Sequence, residues 1–455
     1  MMPPRQCQQA RLARDHRYDG LFFTAVKTTG IYCRSVCPAP PPLEKNVEYF
    51  ETAFLAAQAG YRPCLRCRPD SAPGSSAWRG TNTTFHRALS LIDEGGLVDG
   101  SLPALAERLG VSPRYVRLLF QQAIGMSPKS YSLYQQCLLA KKLLHETALP
   151  ITEIALASGF GSLRRFNDCF KMQFSLAPSV VRKQGGNRAD SGEPIRVTLA
   201  YRPPYDWRSI QAFYAGRMIK GLEWVGEDHY GRTFSDGIGV GWFTARHCAA
   251  RSLFEVEIYL FELTMLPKVI RNIRRCLDLD ANSVLIDHAL QQALEIPALA
   301  MSGMRLPGIW SPFEAGIRAI LGQQVSIKAA RNLVTQLVAM NPDNRDGYHF
   351  FPSPEQLLNV DLEALGMPAR RRETLRQFAA YATEQALEDH DALLALPGIG
   401  PWTVNYLRMR GFSDPDIFLD GDLGIKKSLQ QVYCQPERAA PWRSYLTLYL
   451  WNTLE

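Results

Sequence analysis

The sequence predicts a multidomain protein, mainly α-helical with α+β parts, and three observations carry that prediction. Its 455 residues exceed what one ordinary core organises and point to roughly three domains. Two small, polar, Gly-rich stretches, 71–77 and 184–193, read as linkers that divide the chain into blocks of about 1–75, 78–184 and 194–455. Two close cysteine pairs mark the first block, and helix-period apolar patterns broken by Gly turns mark the second.

Composition narrows the class. The chain is 46% hydrophobic with a mean hydropathy of −0.16, as a soluble globular protein would be. No apolar run is long enough to span a bilayer, and residues 1–11 lack the apolar core of a signal peptide, so a cytoplasmic location and no membrane partner are expected. Six of the ten cysteines (Cys7, Cys137, Cys169, Cys248, Cys276 and Cys434) are scattered, as buried thiols of a reduced compartment are. The net charge is +7, and residues 101–190 alone hold 12 Lys/Arg against 5 Asp/Glu. A positive field concentrated in one segment favours an anionic partner, nucleic acid first.

The remaining four cysteines form Cys33-Arg-Ser-Val-Cys37 and Cys64-Leu-Arg-Cys67. Two close pairs separated by a loop give the spacing of a tetrahedral four-cysteine zinc site. A zinc-bound cysteine is deprotonated, so it is a ligand and a potential nucleophile. Spacing leaves both an inert zinc finger and a reactive centre open.

The middle block contains one motif twice. In the first copy a short helix buries Leu105, Ala106 and Leu109, Gly110 takes the turn, Ser112 caps the next helix with Pro113 at its first position, and Val116, Leu119 and Phe120 form the buried stripe. The second copy runs over 151–170, with Gly159 at the turn and Ser162 as cap. Residues 129–146 read as an amphipathic helix connecting them. Helix, Gly turn and capped helix is the geometry that sets a recognition helix in a major groove, with Arg114 and Arg117 exposed in one unit and Arg164, Arg165 and Asn167 in the other. With Gly125-Met-Ser-Pro128 and Phe174-Ser-Leu-Ala-Pro178, this block resembles the AraC-type activator domain across its span.

The first block, through residues 22–37, Asn46-Val-Glu-Tyr-Phe50 and Ala59-Gly-Tyr-Arg-Pro-Cys64, resembles the zinc domain of Ada-type alkylation-response regulators, and its place before an AraC-type block is that family's order. The resemblance implies one Zn²⁺ held by Cys33, Cys37, Cys64 and Cys67, with Cys33 accepting a methyl group from a DNA methylphosphotriester. A zinc ion with four thiolates is formally a dianion; methylating one sulfur leaves a monoanion that neighbouring phosphates repel less. Arg34, Arg62, Arg66 and Thr29 match positions that approach the DNA backbone. The family's Arg after the second cysteine is missing here, where the stretch is Cys37-Pro-Ala-Pro40, and Lys45 is its nearest replacement. The Pro-Cys-His-Arg motif of the family's second methyltransferase domain does not occur.

In the last block, Leu396-Pro-Gly-Ile-Gly400 sits between a helix end and a helix start, as in a helix–hairpin–helix, with Gly398 and Gly400 turning the backbone. An acidic stretch, Asp416-Ile-Phe-Leu-Asp-Gly-Asp422, follows some twenty residues later. Together with Arg202-Pro-Pro-Tyr-Asp-Trp207, the run 313–326, Ala364-Leu-Gly-Met-Pro368 and Pro441-Trp-Arg-Ser-Tyr445, these residues resemble AlkA-type 3-methyladenine DNA glycosylases over about 198–455. That resemblance implies an antiparallel β lobe over 196–285 and helix–hairpin–helix lobes over 286–455. Asp422 is then the catalytic carboxylate, with Asp420 second. Trp402, Tyr406, Trp442 and Phe213 line the pocket for a flipped, cationic base, and Gln324 is the wedge. Leu423 stands where relatives can carry a tyrosine. Bifunctional lyases place a lysine two residues after the hairpin glycines; here that residue is Trp402, which implies a monofunctional glycosylase that needs no cofactor.

The expected whole is a small four-cysteine zinc domain (1–75), an AraC-type double helix-turn-helix domain (78–184), an antiparallel β lobe and a helix–hairpin–helix glycosylase. It would sense alkylated DNA, activate transcription from promoter DNA with RNA polymerase as partner, and excise alkylated purines as a monomer. Two alternatives remain: a regulator with a non-catalytic glycosylase-like lobe, and a glycosylase with an inert zinc finger.

Overall fold

The computed structural model describes residues 3–454, apart from 15–17, 38, 65–66, 68, 70–81, 94, 98–100, 183–193, 236–238 and 296–301. Both predicted linkers therefore lie almost wholly outside the described residues. The chain forms two compact units, Met1–Pro128 with Gln435–Arg443, and Lys129–Cys434 with Ser444–Glu455. This differs from the expected blocks: the 78–184 segment is divided between the units at its connecting helix.

In the first unit, α1 (Pro4–Ala13) precedes a four-stranded sheet of order β3-β1-β2-β4. Strands β1 (Phe23–Val26), β2 (Ile31–Arg34) and β3 (Val47–Phe50) pair antiparallel, with Thr24 opposite Cys33, and helix α2 (Ala53–Gln58) leads to the short β4 (Arg62–Pro63), which runs parallel to β2. Alternation along β2 buries Tyr32 in a core with Phe23, Ala25 and Ala56 and turns Cys33 to the other face. Gly30, at φ +63°, makes the tight β1–β2 turn. Helices α3 (Asn82–Asp93), α4 (Leu102–Arg108) and α5 (Pro113–Ile124) follow. The Ser112 hydroxyl accepts the Tyr115 N–H, Gly110 has φ +67°, and Val116, Leu119 and Phe120 are buried, as the sequence predicts.

The second unit opens with α6 (Pro128–Glu146), the predicted connecting helix, then α7 (Ile151–Ala157), α8 (Leu163–Phe174) and α9 (Pro178–Arg182). Gly159 at φ +84° and the Ser162 cap build the second helix-turn-helix. A five-stranded antiparallel sheet follows, with β5 (Ile195–Ala200), β6 (Glu223–Val225), β7 (His229–Ser235), β8 (Val240–Cys248) and β9 (Leu253–Leu260) in the order β5-β9-β8-β7-β6. Helix α10 (Trp207–Arg217) lies between β5 and β6 in the chain. The helices after the sheet are α11 (Leu266–Cys276), α12 (Ser283–Leu294), α13 (Pro312–Gly322), α14 (Ile327–Ala339), α15 (Pro354–Leu358), α16 (Ala369–Glu384), α17 (His390–Leu394), α18 (Pro401–Tyr406), α19 (Leu423–Ser428) and α20 (Arg443–Asn452). The expected lobe boundary at 285/286 falls inside α12, because that helix packs as one amphipathic piece with Ile286 and Leu290 inward.

A buried ion network ties the sheet to α13. Arg232 of β7 grips Glu314 with both terminal nitrogens, at 3.2 and 2.8 Å, while Arg318 donates to Glu314 (2.9 Å) and to Glu223 of β6 (3.0 Å). Glu223, Arg232 and Glu314 side chains are at most 5% exposed. Such a cluster is tolerated inside a protein only because each charge meets its partners in good geometry.

Asp278, after α11, is a half-buried carboxyl. Its Oδ2 accepts the Leu306 N–H and the Tyr445 O–H, each at 2.8 Å. Burial pushes its pKa up to about 6 from the ordinary 3.8, despite those two donors. A raised folded-state pKa means that the folded form holds the proton more tightly. The group's contribution to stability is greatest below its ordinary value and is lost as pH rises towards 6. Asp278→Asn keeps an acceptor for both donors and removes the titration. Urea unfolding of this unit at pH 4 and pH 7 should show wild type losing about 2–3 kcal/mol relative to Asp278→Asn over that window. A gap that does not change with pH would contradict the assignment.

Candidate functional site

The four predicted cysteines come together. Cys33 lies on β2, Cys64 directly after β4, and the Sγ atoms of Cys33, Cys37, Cys64 and Cys67 all lie within 4.8 Å of one another. Zn–S bonds of ~2.3 Å put the sulfurs of a tetrahedral site about 3.8 Å apart, and the Cys37–Cys64 separation is 4.0 Å. The donor set therefore fits one zinc ion. Hydrogen bonds with Cys37 and Cys67, then burial, push the Cys33 thiol far up, while hydrogen bonds with Cys33 and Cys67 pull the Cys37 thiol down to about 2. Sulfurs this close share charge badly, and a divalent cation is what lets all four ionise.

The four are not equivalent. Cys64 and Cys67 are buried, whereas Cys33 and Cys37 are half-buried. The Cys67 sulfur also accepts the Arg34 N–H at 3.4 Å. Cys33, Cys37, Thr29 and Arg62 line one concavity of about 1180 Å³. Arg62 is exposed and free to meet a phosphate. Arg34 is different from what the resemblance implies. It is 8% exposed, and its guanidinium bonds both oxygens of Asp19 and the Cys67 carbonyl, so it braces the cysteine loop from inside. Arg66 lies outside the described residues. Arg114, Arg117, Arg164, Arg165 and Asn167 are all exposed on the second helices of their helix-turn-helix units.

The second site is a cleft of about 1040 Å³ in the second unit, and it gathers Asp422, Trp402, Tyr406, Gly398, Gly400 and Gln324. Asp422 is the N-cap of α19. Its Oδ1 accepts the backbone N–H groups of Gly424 (2.9 Å) and Ile425 (3.2 Å), and its Oδ2 accepts the Trp402 indole N–H at 3.0 Å. A second indole, Trp451, donates to Oδ1 at 3.1 Å. Four donors and a helix N-terminus converge on one carboxylate in a half-buried position. Asp420, two residues earlier, is exposed and does not line the cleft among its described residues.

The aromatic lining differs from the sequence reading at two positions, Phe213 and Trp442, neither of which is among the described residues lining the cleft. Trp402 and Tyr406 stack at 5.4 Å, and Trp451 adjoins Tyr406 and Phe213, each at 6.5 Å. Trp442 is not among the described residues lining the cleft; Trp451, nine residues on and on α20, is. The sequence held a signal for it in Leu448-Tyr-Leu-Trp451, a half-exposed tryptophan at the end of a largely apolar helix. Phe213 is 2% exposed and lies beneath two cations, the guanidinium of Arg217 at 3.7 Å and that of Arg410 at 4.6 Å from its ring centre. Sequence reasoning missed both arginines.

Gln324 is the exposed tip of the loop between α13 and α14 and has φ +56°. Its neighbour Gln323 anchors that loop by donating to the Gly398 carbonyl (2.9 Å) and the Thr403 hydroxyl (3.0 Å). The tip thus faces the cleft from a clamped base.

Comparison with known proteins agrees with this layout. The metal binding domain of Ada matches residues 6–70, a helix-turn-helix domain matches 105–184, and the AlkA N-terminal domain matches 196–311. A Mycobacterium tuberculosis protein described as a probable bifunctional transcriptional activator/DNA repair enzyme AlkA is 34% identical, over 99% of this chain and 96% of its own length. The Escherichia coli DNA-3-methyladenine glycosylase 2 is 35% identical, over 56% of this chain and 96% of its own length. The Escherichia coli bifunctional transcriptional activator/DNA repair enzyme Ada is 36% identical, over 42% of this chain and 51% of its own length.

The two hairpin glycines are not interchangeable. Gly398 has φ +85°, and a Cβ there would lie 2.1 Å from the Thr374 hydroxyl; Gly400 meets nothing within 4 Å. Gly398→Ala should destabilise the second unit by about 1–3 kcal/mol, with Gly400→Ala within about 1 kcal/mol of wild type. Equal shifts in the thermal unfolding of the two variants would refute this reading of the hairpin.

Proposed function

Because the chain belongs to the family of proteins that join an Ada-type regulator to an AlkA-type DNA glycosylase, we propose that it senses methylated DNA through Cys33 and excises alkylated purines through Asp422. The observation that carries the second part is the carboxylate held by two indoles at the wall of an aromatic cleft. Alkylation at a ring nitrogen makes a purine cationic. Its N-glycosidic bond breaks heterolytically; the bonding electrons go to the base, which leaves neutral, and the deoxyribose becomes an oxocarbenium-like cation. Trp402, Tyr406 and Trp451 offer π faces that attract a cationic base. Asp422 stabilises the sugar cation and accepts the proton of the water that adds at C1′. The residue two positions after the hairpin glycines is Trp402 rather than the lysine of bifunctional lyases, so release without strand cleavage fits. This is the activity of a 3-methyladenine glycosylase of the second type.

At the cysteine centre, Cys33, Cys37, Cys64 and Cys67 would hold one zinc ion, which would keep their sulfurs ionised and moderate their charge. Cys33 attacks the methyl carbon of a phosphotriester; the S–CH₃ bond forms as the CH₃–O bond breaks, and a phosphodiester anion leaves. Cys33 lines the concavity with Cys37, Cys64 and Arg62, whereas the Cys67 sulfur is engaged by a backbone N–H; the resemblance to the Ada-type domain selects Cys33 among the three. The S-methylated protein, with one negative charge fewer, binds promoter DNA more tightly, and RNA polymerase is the further partner in activation. A cytoplasmic monomer fits this role, and among the described residues no helix is long and apolar enough to cross a membrane.

Asp422→Asn should lower the rate of base release from alkylated duplex DNA by at least about 10³-fold with zinc content unchanged. Release at the wild-type rate would remove Asp422 from the mechanism. Cys33→Ser should abolish the gain of one methyl mass after incubation with methylated DNA. A methyl found on Cys37, Cys64 or Cys67 of the wild-type protein would instead move the acceptor.

A further inference from the structure

The second helix-turn-helix is packed onto the β lobe, and the contact is specific. Strand β5 is an edge of the five-stranded sheet and pairs only with β9. Its outward backbone groups would otherwise need water or another strand. Helix α6 supplies side chains in their place. Glu146 accepts the Thr198 N–H at 2.8 Å and its hydroxyl at 3.0 Å, and Lys142 donates to the Thr198 carbonyl at 2.5 Å. Arg274 of α11 donates to the Ala200 carbonyl at 3.4 Å. Behind this polar seam one buried apolar cluster runs from Leu144, Ile154 and Phe170 of the helix-turn-helix to Val197, Met265 and Leu266 of the lobe. The recognition helix α8 and the Asp422 cleft therefore belong to one compact unit.

That arrangement changes what α8 can do. Its outer face exposes Arg164, Arg165 and Lys171, with Asp168 the one acidic residue of the helix. Two DNA-binding surfaces on one body share a single loss of orientational freedom when both engage one duplex, so the second adds to affinity at high effective concentration. We infer that the second helix-turn-helix is part of the DNA-binding surface of the base-excision half, gripping double-stranded DNA that flanks the lesion through Arg164 and Arg165. The inference rests on the glycosylase reading above. Sequence-specific promoter contact is not needed, because the phosphate backbone supplies this grip.

The test uses the full-length chain and duplexes of about 12 and about 60 base pairs, each carrying one 7-methylguanine, so that only the longer reaches beyond a single site. Wild type should show a KM about tenfold lower on the longer duplex, with a steep salt dependence. Arg164→Ala/Arg165→Ala should lose that length dependence. Lys142→Met/Glu146→Ala should lose it as well, with faster hydrogen exchange at the Thr198 amide reporting the opened seam. A KM that depends on duplex length equally in all three proteins would overturn the inference. So would a length dependence that survives in the seam variant once its Thr198 amide exchanges freely. Absence of 7-methylguanine release by wild type from both duplexes would overturn the glycosylase reading itself, and the inference with it.

Discussion

The geometry of the excision cleft depends on four charges taken out of water. Arg232 and Glu223 come from the sheet, Glu314 and Arg318 from α13, and all four pair with one another. Removing one would strand a buried charge at a cost of about 3–5 kcal/mol, so the sheet and the helix have essentially one relative placement. From there the order is passed along. The end of α13 sets the 322–325 loop; Gln323 in that loop holds the Gly398 carbonyl and the Thr403 hydroxyl; the hairpin sets α18; and Trp402 on α18 holds Asp422. Each link is a directional hydrogen bond or a packed helix, which is how a site keeps its shape without a ligand.

The two reactive groups of the chain are tuned by opposite means. Asp422 is surrounded by donors, two backbone N–H groups and two indole N–H groups that fix both of its oxygens. The cysteines are surrounded by one another, and a bound zinc ion would divide its charge among their four sulfurs. In both places the backbone differentiates neighbours: N–H groups orient Asp422, and the Arg34 N–H damps Cys67.

Much of this was legible in the chain. The caps Ser112 and Ser162, the turns Gly110 and Gly159, the cysteine spacing and the hairpin glycines are local signals, and local chemistry determines them. What escaped was set by tertiary placement. Arg34 matches a position that approaches the DNA backbone in the Ada-type family, but Asp19, fifteen residues away in sequence, draws it inward. Trp442 stood in a stretch that matches the family, whereas Trp451, carried by α20, is the tryptophan of that region lining the cleft among the described residues. The seam between α6 and β5 was invisible for the same reason: the partners of Glu146 and Lys142 lie more than fifty residues on.

The sealed edge of the sheet has a consequence for the crowded solution in which such a chain must persist. An open β-edge recruits strands from other molecules, and that is a common start of aggregation. Here the outward N–H and carbonyl of Thr198 and the carbonyl of Ala200 are occupied by side chains. At the opposite edge, β6 is only three residues long, and the chain before it is met by the His349 N–H bonded to the Gly221 carbonyl. Neither flank offers a long template. A sheet of five strands, ordinarily the part of a protein most ready to copy itself into its neighbours, is closed to them by its own sequence.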